Sequence, residues 1–134
     1  MARPATGQPT DAELEILKIL WELGPSELGP ICGALRERRE VATTTVATVL
    51  GVMRTKKLVK RTCGPKGYLW SPRATREMTQ RGMVTKIVDR VFDGSAHHLV
   101  AHLLKDQQLS EDDLAEIRRL LDEPRRRKDN AGGK

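Results

Sequence analysis

The chain has 134 residues, with 24 Lys and Arg against 18 Asp and Glu, and its only aromatic side chains are two Trp, one Tyr and one Phe. This length accommodates one or two small domains and excludes a large enzyme scaffold. No segment reaches the ~20 apolar residues of a bilayer span, and the opening MARPATGQPT lacks the charged and then apolar blocks of a secretory signal, so a cytoplasmic protein without a membrane partner is expected.

Residues 1–9 are rich in Pro, Gly and Ala, without periodicity, and read as a flexible leader. Thr10-Asp11-Ala12-Glu13 has the form of a capping box, and Leu14, Leu17 and Trp21 follow at helical spacing with Ile16 and Leu20 alongside. Gly24-Pro25 stops this first helix. A shorter second helix is expected from Pro30, a residue suited to a first turn, with Ile31, Ala34 and Leu35 inward before the charged run Arg36 to Glu40. Leu28, just ahead, reads as a short strand. Cys32 and Cys63 have no partner at disulfide-framework or zinc-finger spacing and are expected to be free thiols.

The third helix is expected from Thr43, whose hydroxyl can cap the first turn, to about Lys56. Val46, Val49, Leu50 and Met53 form a core-facing stripe, while Thr44, Ala47, Thr48, Gly51 and Thr55 occupy the other side. Thr and Gly are poor helix formers, so a requirement other than helix stability accounts for that small, uncharged face. Leu58 to Arg61, the turn-rich Thr62 to Gly67, and Tyr68 to Ser71 before Pro72 then read as a β-hairpin with a basic rim. Three helices followed by such a hairpin make residues 10–72 a winged helix-turn-helix domain, so the fold is mainly α with a small β-hairpin.

Beyond Pro72 the pattern is helical again. Met78, Val84, Ile87, Val88, Val91 and Phe92 share a stripe that Asp93-Gly94 ends. Ser95 can cap a helix carrying Leu99, Val100, Leu103 and Leu104. Ser110 can cap another, where Glu111 to Asp113 suit the positive end of the helix dipole and Leu114, Ile117, Leu120 and Leu121 face inward. Pro124 is expected to end the ordered chain, leaving 124–134 as a disordered basic tail. Each apolar side chain buried contributes ~1.5 to 3 kcal/mol against about 1.5 kcal/mol of ordering cost per residue, so three short amphipathic helices are marginal alone. Residues 73–123 therefore read as a helical dimerisation domain in which Val84, Ile87, Val88, Val91, Phe92, Leu99, Val100, Leu103, Leu104, Leu114, Ile117, Leu120 and Leu121 meet a second copy. Packing onto the chain's own winged domain is the alternative.

Charge is unevenly placed: residues 36–73 hold ten basic and two acidic groups, a net of +8, between two mildly acidic regions. Such a stripe is the footprint of a polyanion, with double-stranded DNA the expected partner, or else a solvated basic face. The start of an α-helix in the major groove reaches base edges first, which selects Thr43, Thr44, Thr45 and Thr48 as base readers. Arg38, Arg39, Lys56, Lys57, Lys60, Arg61 and Lys66 are the expected backbone contacts.

Thr10-x-x-Glu13 with Leu20-Trp21, Thr44-Thr45-Val46-x-Thr48-x-Leu50, Tyr68-x-Trp70-x-Pro72, and Phe92-Asp93-Gly94-Ser95 with Leu109-Ser110 and Leu120-Leu121 together resemble the penicillinase-repressor family of bacterial regulators, the BlaI/MecI group. The likeness spans about residues 10–123. It implies a homodimeric repressor on a dyad-symmetric operator, relieved when a membrane-bound sensor-protease pathway cuts an Asn-Phe bond after the Asp-Gly-Ser turn. Alignment puts that bond at His102-Leu103, so this sequence departs from the cleavage motif. It also has Val41 where the family usually has Trp, and Val52 where it usually has Arg.

Two other readings compete. His98 and His102 lie at i, i+4 and could serve a metal-responsive repressor, but no Asp, Glu or Cys matches them on that face, and no metal ligand or cofactor is assigned. A winged fold can also be a protein-interaction module, which the Thr and Gly face argues against. No enzyme is expected, because the chain has no phosphate loop, no nucleophile elbow and no His near a candidate nucleophile.

Overall fold

The computed structural model describes residues 8–106 and 108–132, with side chains described as far as Glu123. The elements run α1 (Asp11–Leu23), β1 (Ser26–Glu27), α2 (Leu28–Arg36), α3 (Thr43–Thr55), β2 (Val59–Gly64), β3 (Gly67–Pro72), α4 (Arg76–Val91), α5 (Ala96–Lys105) and α6 (Glu111–Gly132). Positions 1–7 of the expected leader and positions 133 and 134 of the expected tail lie outside the described residues. Compact units divide between Lys86 and Ile87, inside α4 and well beyond Pro72.

Local chemistry accounts for the element ends. At α1 the Thr10 side chain accepts from the Glu13 amide at 3.2 Å while Glu13 Oε1 accepts from the Thr10 amide at 2.9 Å, completing the capping box. Gly24, at φ 82°, closes the helix. The chain then enters the two-residue strand β1, where Ser26 pairs with Trp70 and Glu27 with Leu69. The wing is therefore an antiparallel three-stranded sheet in the order β1-β3-β2. Leu28 is not a strand residue: extended Glu27 precedes it and Leu28 opens α2. Helix α2 starts ahead of Pro30, which still falls in the first turn, where a missing N–H leaves no intrahelical bond unmade.

The first unit has one core. Ile16, Leu17 and Leu20 of α1, Ile31 and Leu35 of α2, and Val46, Leu50 and Met53 of α3 are buried together with Val59 and Trp70 of the sheet. Val41 and Val49 are half-buried against this cluster. Trp21 donates from Nε1 to the Ala74 carbonyl at 2.9 Å, and the Arg76 guanidinium lies 5.4 Å from the Trp21 ring centroid, so the start of α4 is fixed to α1.

In α4, α5 and the described part of α6 no apolar side chain is buried. Val91 is 66% and Leu121 65% exposed, and Val84, Ile87, Val100, Leu104 and Leu120 are exposed as well. Val88, Phe92, Leu99, Leu103, Leu114 and Ile117 are half-buried. Asp93 and Gly94, at φ 52° and 85°, make the turn that ends α4. Ser95 and Ser110 cap the next two helices as their positions predict, accepting from the His98 and Asp113 amides, each at 3.1 Å. The tail departs from expectation: α6 passes through Pro124 to Gly132. Proline forfeits one intrahelical bond at about 3 kcal/mol, and the Arg and Lys residues that follow are good helix formers.

Candidate nucleic-acid interface

Helix α3 is fixed by its apolar stripe, since Val46, Leu50 and Met53 are at most 1% exposed. Burying that stripe turns Thr44, Thr45, Ala47, Thr48, Gly51 and Val52 outward, all exposed. The slim outer face is therefore a product of the core, with Val52 adding an apolar side chain at 47% exposure. Thr55 bonds back to the Gly51 carbonyl at 3.2 Å, leaving the threonines nearer the helix start as its outward hydroxyls.

Thr43 does not cap α3. The N-cap is Ala42, which supplies no side-chain bond, and the Thr43 hydroxyl accepts from Arg36 Nη2 at 2.6 Å. Arg36 also donates from Nε to the Val41 carbonyl at 3.1 Å, so it ties the end of α2 to the start of α3. Sequence reasoning did not single out Arg36. Its only signal was a place in the charged run before the helix.

The seven expected backbone cations separate into two groups. Lys56 points inward: its Nζ lies 2.7 Å from Glu13 Oε1, its side chain is 23% exposed, and the Glu13 side chain is 5% exposed. This ion pair crosses from α3 to α1 and is part of the fold. Arg39 is 2.8 Å from Glu15. Its hydrogen bond is the main reason the Glu15 carboxyl is held below the usual carboxylate range; burial opposes that shift and the Arg39 charge adds to it.

Of the other five, Arg61 and Lys66 line a cleft together with Ala47 and Gly51 of α3, Arg38 precedes the helix, Lys57 follows it, and Lys60 alternates to the sheet face opposite Arg61. Arg38, Lys57, Lys60 and Lys66 are exposed and Arg61 is half-buried. Lys57 has φ 67°, and its N–H donates to the Arg54 carbonyl while that of Leu58 donates to Met53. This is a Schellman turn with lysine at the position usually held by glycine. On β2, Val59, Arg61 and Cys63 face the same side as their cross-strand partners Pro72, Trp70 and Tyr68. There the Arg61 guanidinium packs 3.7 Å from the Tyr68 ring centroid. Arg54, exposed in the last turn of α3, is a further cation that sequence reasoning passed over.

The histidines are elsewhere, on α5. His102 Nε2 is 3.4 Å from Asp106, four positions on, so the expectation that no acidic residue matches the histidines on that face is corrected; the His102 ring also meets Phe92 edge-on. Among the described residues no cluster of three or more His, Cys, Asp or Glu is arranged to hold a metal ion. No helix of the described residues is long and apolar enough to cross a membrane.

Comparison with known proteins gives the family. The profile of the penicillinase repressor family matches residues 9–123. The chain is 20% identical over 112 residues to a penicillinase repressor of Staphylococcus aureus, covering 84% of this chain and 89% of that protein. It is 22% identical over 121 residues to one from Bacillus licheniformis, covering 90% and 94%. Among solved structures, it is similar to a transcriptional regulator from Thermotoga maritima at a TM-score of 0.48 and 20% identity, covering 93% of this chain and 80% of that one. The chain belongs to the penicillinase repressor family of DNA-binding transcriptional repressors.

Proposed function

We propose that the chain is a homodimeric repressor that inserts α3 into the major groove of a dyad-symmetric operator. The observation that carries this is the outer face of α3: exposed, free of acidic groups, made of small side chains, and flanked by Arg61 and Lys66 of the wing, neither of which has a carboxylate partner among the described residues. A threonine hydroxyl can donate to or accept from a base edge while its methyl packs on thymine, and Ala47 and Gly51 let the helix approach closely. Thr44, Thr45 and Thr48 are the base readers in this reading. Thr43, held by Arg36, orients the helix start instead. Arg38, Lys57, Lys60, Arg61 and Lys66 take the phosphates, which hold the register without reading sequence.

The second half of the proposal is that α4 to α6 pair with their counterparts in another copy. Support comes from an apolar stripe that the chain leaves unburied, with Val91 and Leu121 about two-thirds exposed. An isologous contact would cover each stripe with its equivalent and hold two copies of α3 at half-site spacing, about 34 Å. Relief by proteolysis at His102-Leu103 would require α5 to open locally, since that bond lies within the helix.

Fluorescence anisotropy with duplexes from the protein's own promoter tests the reading. Binding should be tight at low salt, fall steeply as salt rises, and exceed binding to random DNA. Equal affinity for promoter and random duplexes at every salt concentration would contradict it.

A further inference from the structure

We infer that the cleft between α3 and the wing is an effector site for a small, planar, aromatic monoanion whose occupancy excludes DNA; the exclusion rests on the DNA-binding reading, while the site itself does not. The cleft encloses about 600 Å³, within the range of small-molecule sites, and Pro30, Ala47, Gly51, Arg61, Tyr68 and Trp70 are among the residues that line it.

Three observations define the ligand. The first is aromatic lining. Trp70, 6% exposed, and Tyr68, 48% exposed, meet edge to face with ring centroids 6.2 Å apart. Trp70 is largely taken up by the core and Arg61 lies over the Tyr68 ring, so a planar ring would pack against the exposed remainder of Tyr68 and the part of the indole that lines the cleft. The second is charge. The Arg61 guanidinium is set on the Tyr68 ring and has no carboxylate partner among the described residues, so its donors suit a carboxylate. Lys66 adds a second cation. Glu27 also lines the cleft, but its Oε2 accepts from the Lys66 backbone N–H at 3.0 Å, so the opening is net positive by one charge and matches a monoanion.

The third observation is space. Gly51 lies in the middle of α3, where glycine weakens a helix relative to alanine. A Cβ built there meets nothing within 4 Å, so no neighbour in the fold demands glycine. Besides the close approach to DNA proposed above, glycine at that position leaves the cleft open. An anion held by Arg61 and Lys66 would occupy two of the proposed phosphate contacts and lie against the face of α3 that must enter the groove.

The test is titration calorimetry of the full chain with 2-naphthoate, without DNA. One site per chain is expected. The Arg61→Gln variant, or neutral 2-naphthamide in place of the acid, should weaken binding about tenfold or more, the effect of losing one charge-assisted pair. Gly51→Leu, which enters open space and improves helix propensity, should abolish binding with an unchanged circular dichroism spectrum; Ala47→Leu is the second variant for the same effect. Binding that survives both substitutions, or equal binding of acid and amide, overturns the site. With wild type and promoter DNA, the apparent Kd should rise in proportion to free naphthoate, and a constant Kd overturns the exclusion. DNA binding without naphthoate binding sinks the inference and leaves the repressor reading standing. Naphthoate binding without DNA binding sinks the repressor reading, and the exclusion with it, and leaves the site.

Discussion

Lys56→Met separates a structural cation from a DNA-contacting one. Lys56 Nζ sits 2.7 Å from Glu13 Oε1, and Glu13 is 4% exposed. Removing the lysine leaves a buried carboxylate with the Thr10 amide, on the same oxygen, as its remaining donor among the described residues. Breaking a buried pair in this way costs about 3 to 5 kcal/mol; with the Lys56 side chain still 23% exposed to water, about 2 to 3 kcal/mol is expected. For a domain of this size that lowers the urea midpoint by about 2 M. Glu13→Gln keeps an acceptor for Thr10, so the double variant should recover much of the loss, because an uncompensated charge is what costs most. In DNA titrations the logarithmic salt slope should stay at the wild-type value. A variant as stable as wild type whose salt slope falls by about one unit would refute this assignment and return Lys56 to the phosphate contacts.

Four further outcomes follow from the same geometry. Lys57→Gly should raise stability by up to about 1 kcal/mol in thermal unfolding, because φ 67° suits glycine, while reducing the DNA salt slope by about one unit; a loss of stability would contradict the turn. Thr48→Ala should lower operator discrimination by about 1 kcal/mol, whereas Lys66→Ala should weaken all duplexes alike; equal losses on operator and random DNA for Thr48→Ala would reverse the roles. Leu121→Asp should dissociate the proposed dimer in sedimentation equilibrium, raising its Kd by about 10²-fold or more, since symmetry removes two apolar contacts; a wild-type mass that is monomeric at every concentration would rule the dimer out. Because the folded-state carboxyl of Glu15 is lowered, chiefly by the Arg39 hydrogen bond, its stabilising contribution is present above the ordinary carboxylate range, about 4 to 4.5, and is lost as pH falls through the lowered value. Glu15→Gln should therefore flatten the acid limb of stability, and parallel limbs for the two proteins would count against the pair.

What could be read from the chain alone was whatever depends on neighbours in sequence. The Thr10 and Glu13 box and the Ser95 and Ser110 caps each involve residues three apart, and the α3 stripe follows from a 3.6-residue period. The two-residue β1 is too short to show alternation and exists because Ser26 and Glu27 find an edge of β3, far along the chain. Lys56 belonged by composition to a basic stripe, and nothing local distinguishes it from Lys57. Its partner Glu13 lies 43 positions away, and only the packing of α3 on α1 brings them together. Thr43 shows the same limit: an Arg36 side chain seven residues upstream took the hydroxyl that local capping rules assigned to the helix start.

The central claim, that two copies of α3 enter one face of a duplex at a spacing set by the paired tails, is tested most directly by hydroxyl-radical footprinting on the protein's own promoter. Two protected patches are predicted, related by a dyad, with centres about 34 Å or one helical turn apart. Both patches should disappear together as Leu121→Asp replaces wild type. A single unpaired patch, or symmetric protection that Leu121→Asp leaves intact, would contradict the account.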